Sequence, residues 1–446
     1  MQNKKILFAT MPFEGHFNPL TGLAVHLQSL GYEVAWYAGA SYADKLRKLG
    51  VDHFPFQKAV EINQYNLDEL FPERKRIKGT IARLRFDINR VFIERIPEFV
   101  EDVKRIYQDW PFDLIVYDLA FTAGPVIKQL LNIPVAAVGV VPYSETSEDL
   151  PPSGMGKSPS IHFMIKRWHS FLSYLTTEVL LKPCTNLFNK YLDEYGLEPT
   201  KDFVFDAAIR MPDLYLQSGV PGFEYERKDM SKNVRFVGPL LPYKGNVKHF
   251  FTHAAKTKTY QKVLLATQGT VERDPSKIIV PTLEAFKNDP DTLVIVTTGG
   301  SQTAELRERY PQTHFIIEDF IDFNSVMPFV NVYVTNAGYG GVMLSIQHEV
   351  PMVAAGVHEG KNEIAARIGY FKLGINLKTE TPKPAQIRKS VEKIMADKEY
   401  KRNVQKLSSE FRQYSPNALC EKYIKELFGS KSGKSSPMRQ VSEVHS

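Results

Sequence analysis

Twice along this chain, short apolar runs alternate with stretches whose apolar residues recur at helical spacing, and no other feature restricts the fold as strongly. The first series opens with KKILFAT from Lys4, crosses MPFEGHFNP, and continues with Leu20, Leu23, Ala24, Leu27 and Leu30 before Gly31 stops the helix. EVAWYAG, DLIVYD and PVAAVGV carry it on, with the helical pattern FTAGPVIKQLL between the last two. KVLLATQGT, TLVIVTTGG, HFIIEDF, NVYVTNAGYGG and VPMVAAG form the second series. Continuous apolar strands separated by helices imply a parallel sheet covered on both faces. Two series therefore predict an α/β chain of two Rossmann-like, doubly wound domains, and 446 residues suit two domains of about 200 residues each.

The punctuation places the boundaries. Residues 1–240 form the first domain. Gly238, Pro239, Pro242 and Gly245 mark a connection, taken as 241–250. Residues 251–413 form the second domain, and a helix over 414–428 is expected to pack back toward the first. The segment 429–446 has too little apolar surface to fold. From 141 to 209 the alternation lapses into a helical insert rich in Ser, Pro and aromatic residues.

Composition excludes several classes. Hydrophobic residues at 43% and charged residues at 24% are globular proportions. The formal charge of +6 is dispersed, and Lys431, Lys434 and Arg439 of the tail account for part of it, so nucleic acid is not an expected partner. No run approaches the ~18 apolar residues of a membrane span, and the N-terminus lacks the long apolar core and cleavage site of a secretory signal. Stable membrane insertion is not expected. Cys184 and Cys420 have neither the spacing of a disulfide framework nor a zinc pattern, which fits a cytoplasmic protein.

Chemistry should lie where strands end, the usual ligand position in such sheets. His16 follows the first strand, with Gly15 beside it to permit close backbone approach and Pro19 suited to a helix first turn. A lone histidine here reads more readily as a residue that caps or packs at the strand–helix junction. Asp118, ending DLIVYD in the same sheet, reads alone as a helix cap, but beside His16 it would orient and charge-balance an imidazole acting as a base. Asp113, at the opposite end of that strand, should be remote. In the second domain Gly338, Gly340 and Gly341 lie in a turn before a helix, a ready diphosphate site, and Gly269 and Thr270 end the domain's first strand on the same edge. No P-loop or HExxH pattern occurs, and no metal is expected.

Taken in order, GHFNP, the YD that ends the strand, VGPLLP, QGT and FIDFNSVMPFVNVYVTNAGYGGVMLSIQHEVPMV resemble the family 1 glycosyltransferases, from about Lys4 to Phe428. These include bacterial macrolide-type and plant natural-product enzymes. The resemblance implies a GT-B fold, a UDP-sugar (commonly UDP-glucose) on the second domain, a hydrophobic acceptor such as a phenol or macrolide on the first, and inversion at the anomeric carbon. It implies His16 as base with Asp118 as its partner, Phe320 and Ile321 at the uracil, and Thr270, Asn336, Ala337 and Gly338 in the diphosphate cradle. Where the family carries an Asp-Gln pair for the sugar hydroxyls, this chain has Gly360 and Lys361, with Glu359 adjacent. Phe320 and Phe323 read equally as core. Phe163, Trp168, Phe171 and Tyr174 suit an acceptor wall, while Lys166 and Arg167 in the same stretch suit an anionic membrane surface. A sugar-nucleotide epimerase and a non-catalytic sugar-nucleotide-binding protein are the alternatives. Oligomeric state is not legible in the sequence.

Overall fold

The computed structural model describes residues 4–63, 65–245, 250–269 and 272–431. The first sheet is built from β1 (Lys5–Ala9), β2 (Glu33–Ala38), β3 (Asp52–Pro55), β4 (Leu114–Asp118), β5 (Val135–Gly139), β6 (Leu214–Ser218) and β7 (Val234–Gly238). The second uses β8 (Lys262–Thr267), β9 (Thr292–Thr297), β10 (Phe315–Glu318), β11 (Val332–Thr335), β12 (Met352–Ala354) and β13 (Gly374–Asn376). Their spatial orders are β3-β2-β1-β4-β5-β6-β7 and β10-β9-β8-β11-β12-β13, and the strand pairings in both are parallel.

Period-two alternation gives each sheet two cores. Leu7, Tyr37, Ile115 and Ala137 face one helical layer, while Ile6, Phe8, Trp36 and Val116 face the other. Val263, Leu265 and Ile295 divide in the same way from Leu264, Ala266 and Val294. Both sheets reverse direction about a central pair. At β1 and β4, Ala9 lies beside Tyr117. At β8 and β11, Thr267 lies beside Thr335. The loops leaving these pairs diverge and open a crevice at each carboxyl edge.

The first helix differs from its expected start. It runs Glu14–Ser29, so His16 lies in its first turn and Pro19 in its interior. Phe17 extends the apolar stripe one turn earlier, packing on Trp36 at 4.5 Å and Tyr42 at 4.4 Å between ring centroids. That burial outweighs the one helical hydrogen bond that Pro19 cannot donate.

The insert folds as helices over Phe163–Tyr174, Lys182–Glu194 and Val204–Arg210, the first continued by a π-helical turn over Leu175–Leu180. The last helix, Pro416–Lys431, lies against the first helix and against β6 and β7. Cys420 and Ile424 are buried in the first domain's core, and Asn417 Nδ2 donates to the Gly22 carbonyl at 3.2 Å.

The domains meet along a polar seam. Arg367, in the helix Lys361–Tyr370, pairs with Glu224 at 2.8 Å and donates to the Tyr143 carbonyl at 3.3 Å. Burial pushes the Glu224 carboxyl above its usual range although Arg367 opposes the shift. Glu363 accepts from the backbone amides of Gly154 at 2.9 Å and Gly156 at 2.7 Å, and the Tyr339 hydroxyl donates to the Ser218 carbonyl at 2.7 Å.

Candidate active site

Asp118 is the terminal residue of β4 and is fully buried. A carboxylate in such a place needs donors on all sides. Met11 N donates to Oδ2 at 2.7 Å and Ala120 N to Oδ1 at 2.9 Å, fixing the group between the two central loops. Oδ1 also meets His16 Nδ1 at 2.6 Å. An ionised carboxylate only accepts, so Nδ1 carries the hydrogen of the neutral imidazole and Nε2 is left with a free lone pair. The His16 ring is partly exposed and flanked by Phe13 at 5.7 Å, which joins Phe92 at 6.5 Å. An apolar rim therefore surrounds a basic nitrogen. Asp113, at the other end of β4, accepts from Lys4 Nζ at 2.5 Å and from Lys5 N at 2.8 Å.

Facing the first domain, the helix Tyr339–Gln347 touches the helix that carries His16. Gly338 is its N-cap, and the first-turn amides of Tyr339, Gly340 and Gly341 have no acceptor within the helix. A Cβ on Gly340 would meet no atom within 4 Å, so that side of the turn is open. Ala337 adopts a left-handed φ of 63°, which folds the strand end back toward the helix, and it is buried in the core. Asn336 links this turn to the neighbouring strand end. Its Oδ1 accepts from Gly338 N at 3.3 Å, and Nδ2 donates to the Gln268 carbonyl. One amide hydrogen remains for a ligand. Gly269 has φ 79°, and a Cβ there would lie 3.1 Å from Asn336 Nδ2, so the close approach of the two turns requires glycine. Thr270 lies outside the described residues.

Phe320 follows β10 and is 75% exposed, whereas Phe323 packs against the second core. The two readings thus separate: Phe323 is structural and Phe320 is a free aromatic face. Its ring lies within 3.7 Å of where a Gly300 Cβ would stand, and Ile321 beside it is half-buried. Glu359 (φ 55°) and Gly360 (φ 75°) form a left-handed turn after β12, and Lys361 Nζ contacts Glu359 Oε2 at 2.5 Å. Among the described residues no cluster of three His, Cys, Asp or Glu side chains is placed to hold a metal ion, and no helix is long and apolar enough to cross a membrane.

In the helix Phe163–Tyr174 the buried positions are His169 and Ser173, while Phe163, Trp168, Phe171 and Tyr174 are exposed. Those rings form an open face of the helix. The helix turns its polar stripe inward, where His169 lines a crevice of about 640 Å³ between the insert and the edge strand β13. The Arg367–Glu224 pair and the Tyr339 contact were not visible in the sequence, because each joins residues more than a hundred positions apart.

A histidine–aspartate pair on one doubly wound domain, opposed by a glycine-led helix on the other, fits a two-domain protein that acts on nucleotide-activated groups. A sequence model described as UDP-glucoronosyl and UDP-glucosyl transferase matches residues 295–417. The 4'-demethylrebeccamycin synthase of Lentzea aerocolonigenes is 31% identical over 91% of this chain and 95% of its own length. UDP-glucosyltransferase A1 of Starmerella bombicola is 26% identical over 95% and 92%. The crystal structure of the glycotransferase of kitacinnamycin superposes with a TM-score of 0.74 at 17% identity, covering 96% of this chain and all of that one, and shows the fold to be GT-B. The chain belongs to the UDP-glucoronosyl and UDP-glucosyl transferase family and is a UDP-glycosyltransferase.

Proposed function

We propose that this enzyme moves glucose from UDP-glucose to a hydroxyl of a hydrophobic small molecule, with inversion and without a metal ion. The observation that carries the proposal is the 2.6 Å contact of His16 Nδ1 with buried Asp118, which leaves Nε2 as a base beside an apolar rim. His16 Nε2 removes the acceptor proton as the oxygen attacks the anomeric carbon in line with the departing diphosphate, and Asp118 stabilises the imidazolium. An α-linked donor yields a β-glycoside.

The second domain supplies the electrostatics. The free amides of Tyr339, Gly340 and Gly341, at the positive end of their helix, receive the charge developing on the diphosphate. The remaining Asn336 hydrogen adds a side-chain donor, so the charge of the diphosphate is met by amides. Phe320 stacks on the uracil beside Ile321. Glu359, held by Lys361, accepts from sugar hydroxyls in place of the family's Asp-Gln pair, with Gly360 providing the turn. Both cysteines are buried free thiols, which suits the cytoplasm.

His16→Ala is assayed with UDP-glucose and a panel of phenols and other hydrophobic alcohols, reading products by mass spectrometry. Loss of transfer with UDP binding retained is the expected result. Turnover near that of the unaltered enzyme refutes the base assignment.

A further inference from the structure

The insert helix Phe163–Tyr174 is inside out. His169 and Ser173, one turn apart, are its buried residues, and the stripe continues to Thr177 in the π-helical turn that follows. His169 Nδ1 and Ser173 Oγ are buried without a hydrogen-bond partner. On the opposite face stand Phe163 (74% exposed), Met164 (82%), Trp168 (54%), Phe171 and Tyr174. A single exposed ring is ordinary, but a contiguous apolar face with polar atoms stranded beneath it marks a surface that something covers.

The charge around this face indicates what covers it. Arg167 lies within it, four residues from both Phe163 and Phe171. From Lys157 to Leu181 the one acidic residue is Glu178, which is ion-paired to Lys182 at 2.8 Å. The neighbouring helix Thr80–Asp87 buries none of its residues and exposes Ile81 and Leu84 on either side of Arg83. Arg85, from that helix, donates to the Leu180 carbonyl and so ties it to the end of the insert helix. From Arg74 to Phe86 the sequence contains no carboxylate, and among the described residues Lys75, Arg76, Lys78, Arg83 and Arg167 have none within ion-pair distance. A second copy of the chain docking here by two-fold symmetry would set these cations against themselves.

We infer that this face docks onto an anionic phospholipid bilayer, the aromatic rings lying at headgroup depth and the cations among the lipid phosphates. Attachment is peripheral and reversible, and it holds the acceptor-binding domain at the surface in which hydrophobic alcohols dissolve. The docking does not depend on the chemistry proposed for His16.

Trp168 provides its own reporter, because Trp36 is buried and Trp110 is half-buried. The full chain is mixed with phosphatidylcholine vesicles with and without phosphatidylglycerol, following Trp fluorescence and co-sedimentation. A blue shift and sedimentation are expected with phosphatidylglycerol, both fading as salt is raised. Trp168→Phe should lose the blue shift yet still sediment. Arg167→Glu combined with Arg83→Glu should weaken binding by roughly fivefold or more for each cation removed. Phe163→Ser with Phe171→Ser should abolish sedimentation while UDP affinity and far-UV dichroism are unchanged, which separates lost docking from lost fold and from failure of the donor site. No sedimentation of the unaltered chain, or equal binding to vesicles with and without phosphatidylglycerol, overturns the inference. So does a stable dimer in light scattering that Phe171→Ser dissociates, since the second copy would then be the occupant.

Discussion

Replacing Asp118 by Asn preserves shape and removes charge, and the structure specifies the consequence. The carboxylate accepts from three N–H groups: Met11 N at 2.7 Å, Ala120 N at 2.9 Å and His16 Nδ1 at 2.6 Å. An asparagine has one carbonyl oxygen. If that oxygen takes the Oδ1 place, its NH2 opposes Met11 N–H; if it takes the Oδ2 place, its NH2 opposes both Ala120 and His16. Either way a buried donor loses its acceptor, at about 1–3 kcal/mol of stability. The larger effect is on turnover. The imidazolium loses its counter-charge and the ring its preferred tautomer, and by analogy with other oriented histidines kcat falls about 10³- to 10⁴-fold, or about 4–5.5 kcal/mol of barrier. UDP affinity, proposed to reside on the other domain, should hold. The assay measures UDP release and product formation at saturating donor, with a thermal melt to confirm folding. Because the two residues act as a unit, Asp118→Asn made on His16→Ala should reduce kcat little further. A folded Asp118→Asn enzyme within tenfold of the unaltered kcat, or full additivity with His16→Ala, refutes the coupled base.

Three further outcomes follow from the geometry. Gly340→Asp places a carboxylate in open space at a positive helix end, so the melt should be unchanged or slightly raised, while the donor KM rises roughly tenfold or more through repulsion of the diphosphate. Phe320→Ala removes an exposed ring, so stability should hold while UDP affinity, read by calorimetry, falls roughly five- to a hundredfold if the ring stacks on the base. Glu145→Gln takes the charge from a buried carboxylate that accepts from Arg210 Nε at 2.6 Å and from Ser231, and should lower stability by about 3 kcal/mol in denaturant melts. Burial pushes the Glu145 carboxyl up, but hydrogen bonds from Ser231, Tyr143 and Arg210 outweigh it and hold it below its usual range. Its contribution is therefore complete above the ordinary carboxylate range and is lost as pH falls through the lowered value. Glu145→Gln should flatten that acid limb; an unchanged limb sinks the assignment.

Both sheets were legible because strands buried on two faces are continuous apolar runs, and Leu114–Asp118 or Val332–Thr335 admit no other reading. Four strands were not legible: β3 and β13 have only three or four residues of mixed burial, and β6 and β7 carry Gln217, Ser218 and Arg235, which break the apolar run that marks the others. His16 and Asp118 were found because strand ends of one sheet share an edge. The start of the first helix was misplaced because Gly15 and Pro19 punctuate like a loop, and only the packing of Phe17 on Trp36 overrides them. Which face of the insert helix is buried was not legible. Its aromatic residues have the spacing of a core-facing stripe, and nothing local records that His169 and Ser173 turn inward instead.

The amides of Gly154 and Gly156 reach across the domain boundary to Glu363, which lies two residues beyond Lys361. The insert and the turn proposed to meet the sugar therefore share one anchor, and neither can be rearranged without a free-energy cost felt by the other. Thermodynamic linkage makes that dependence reciprocal: whatever acceptor does to the affinity for donor, donor does equally to the affinity for acceptor.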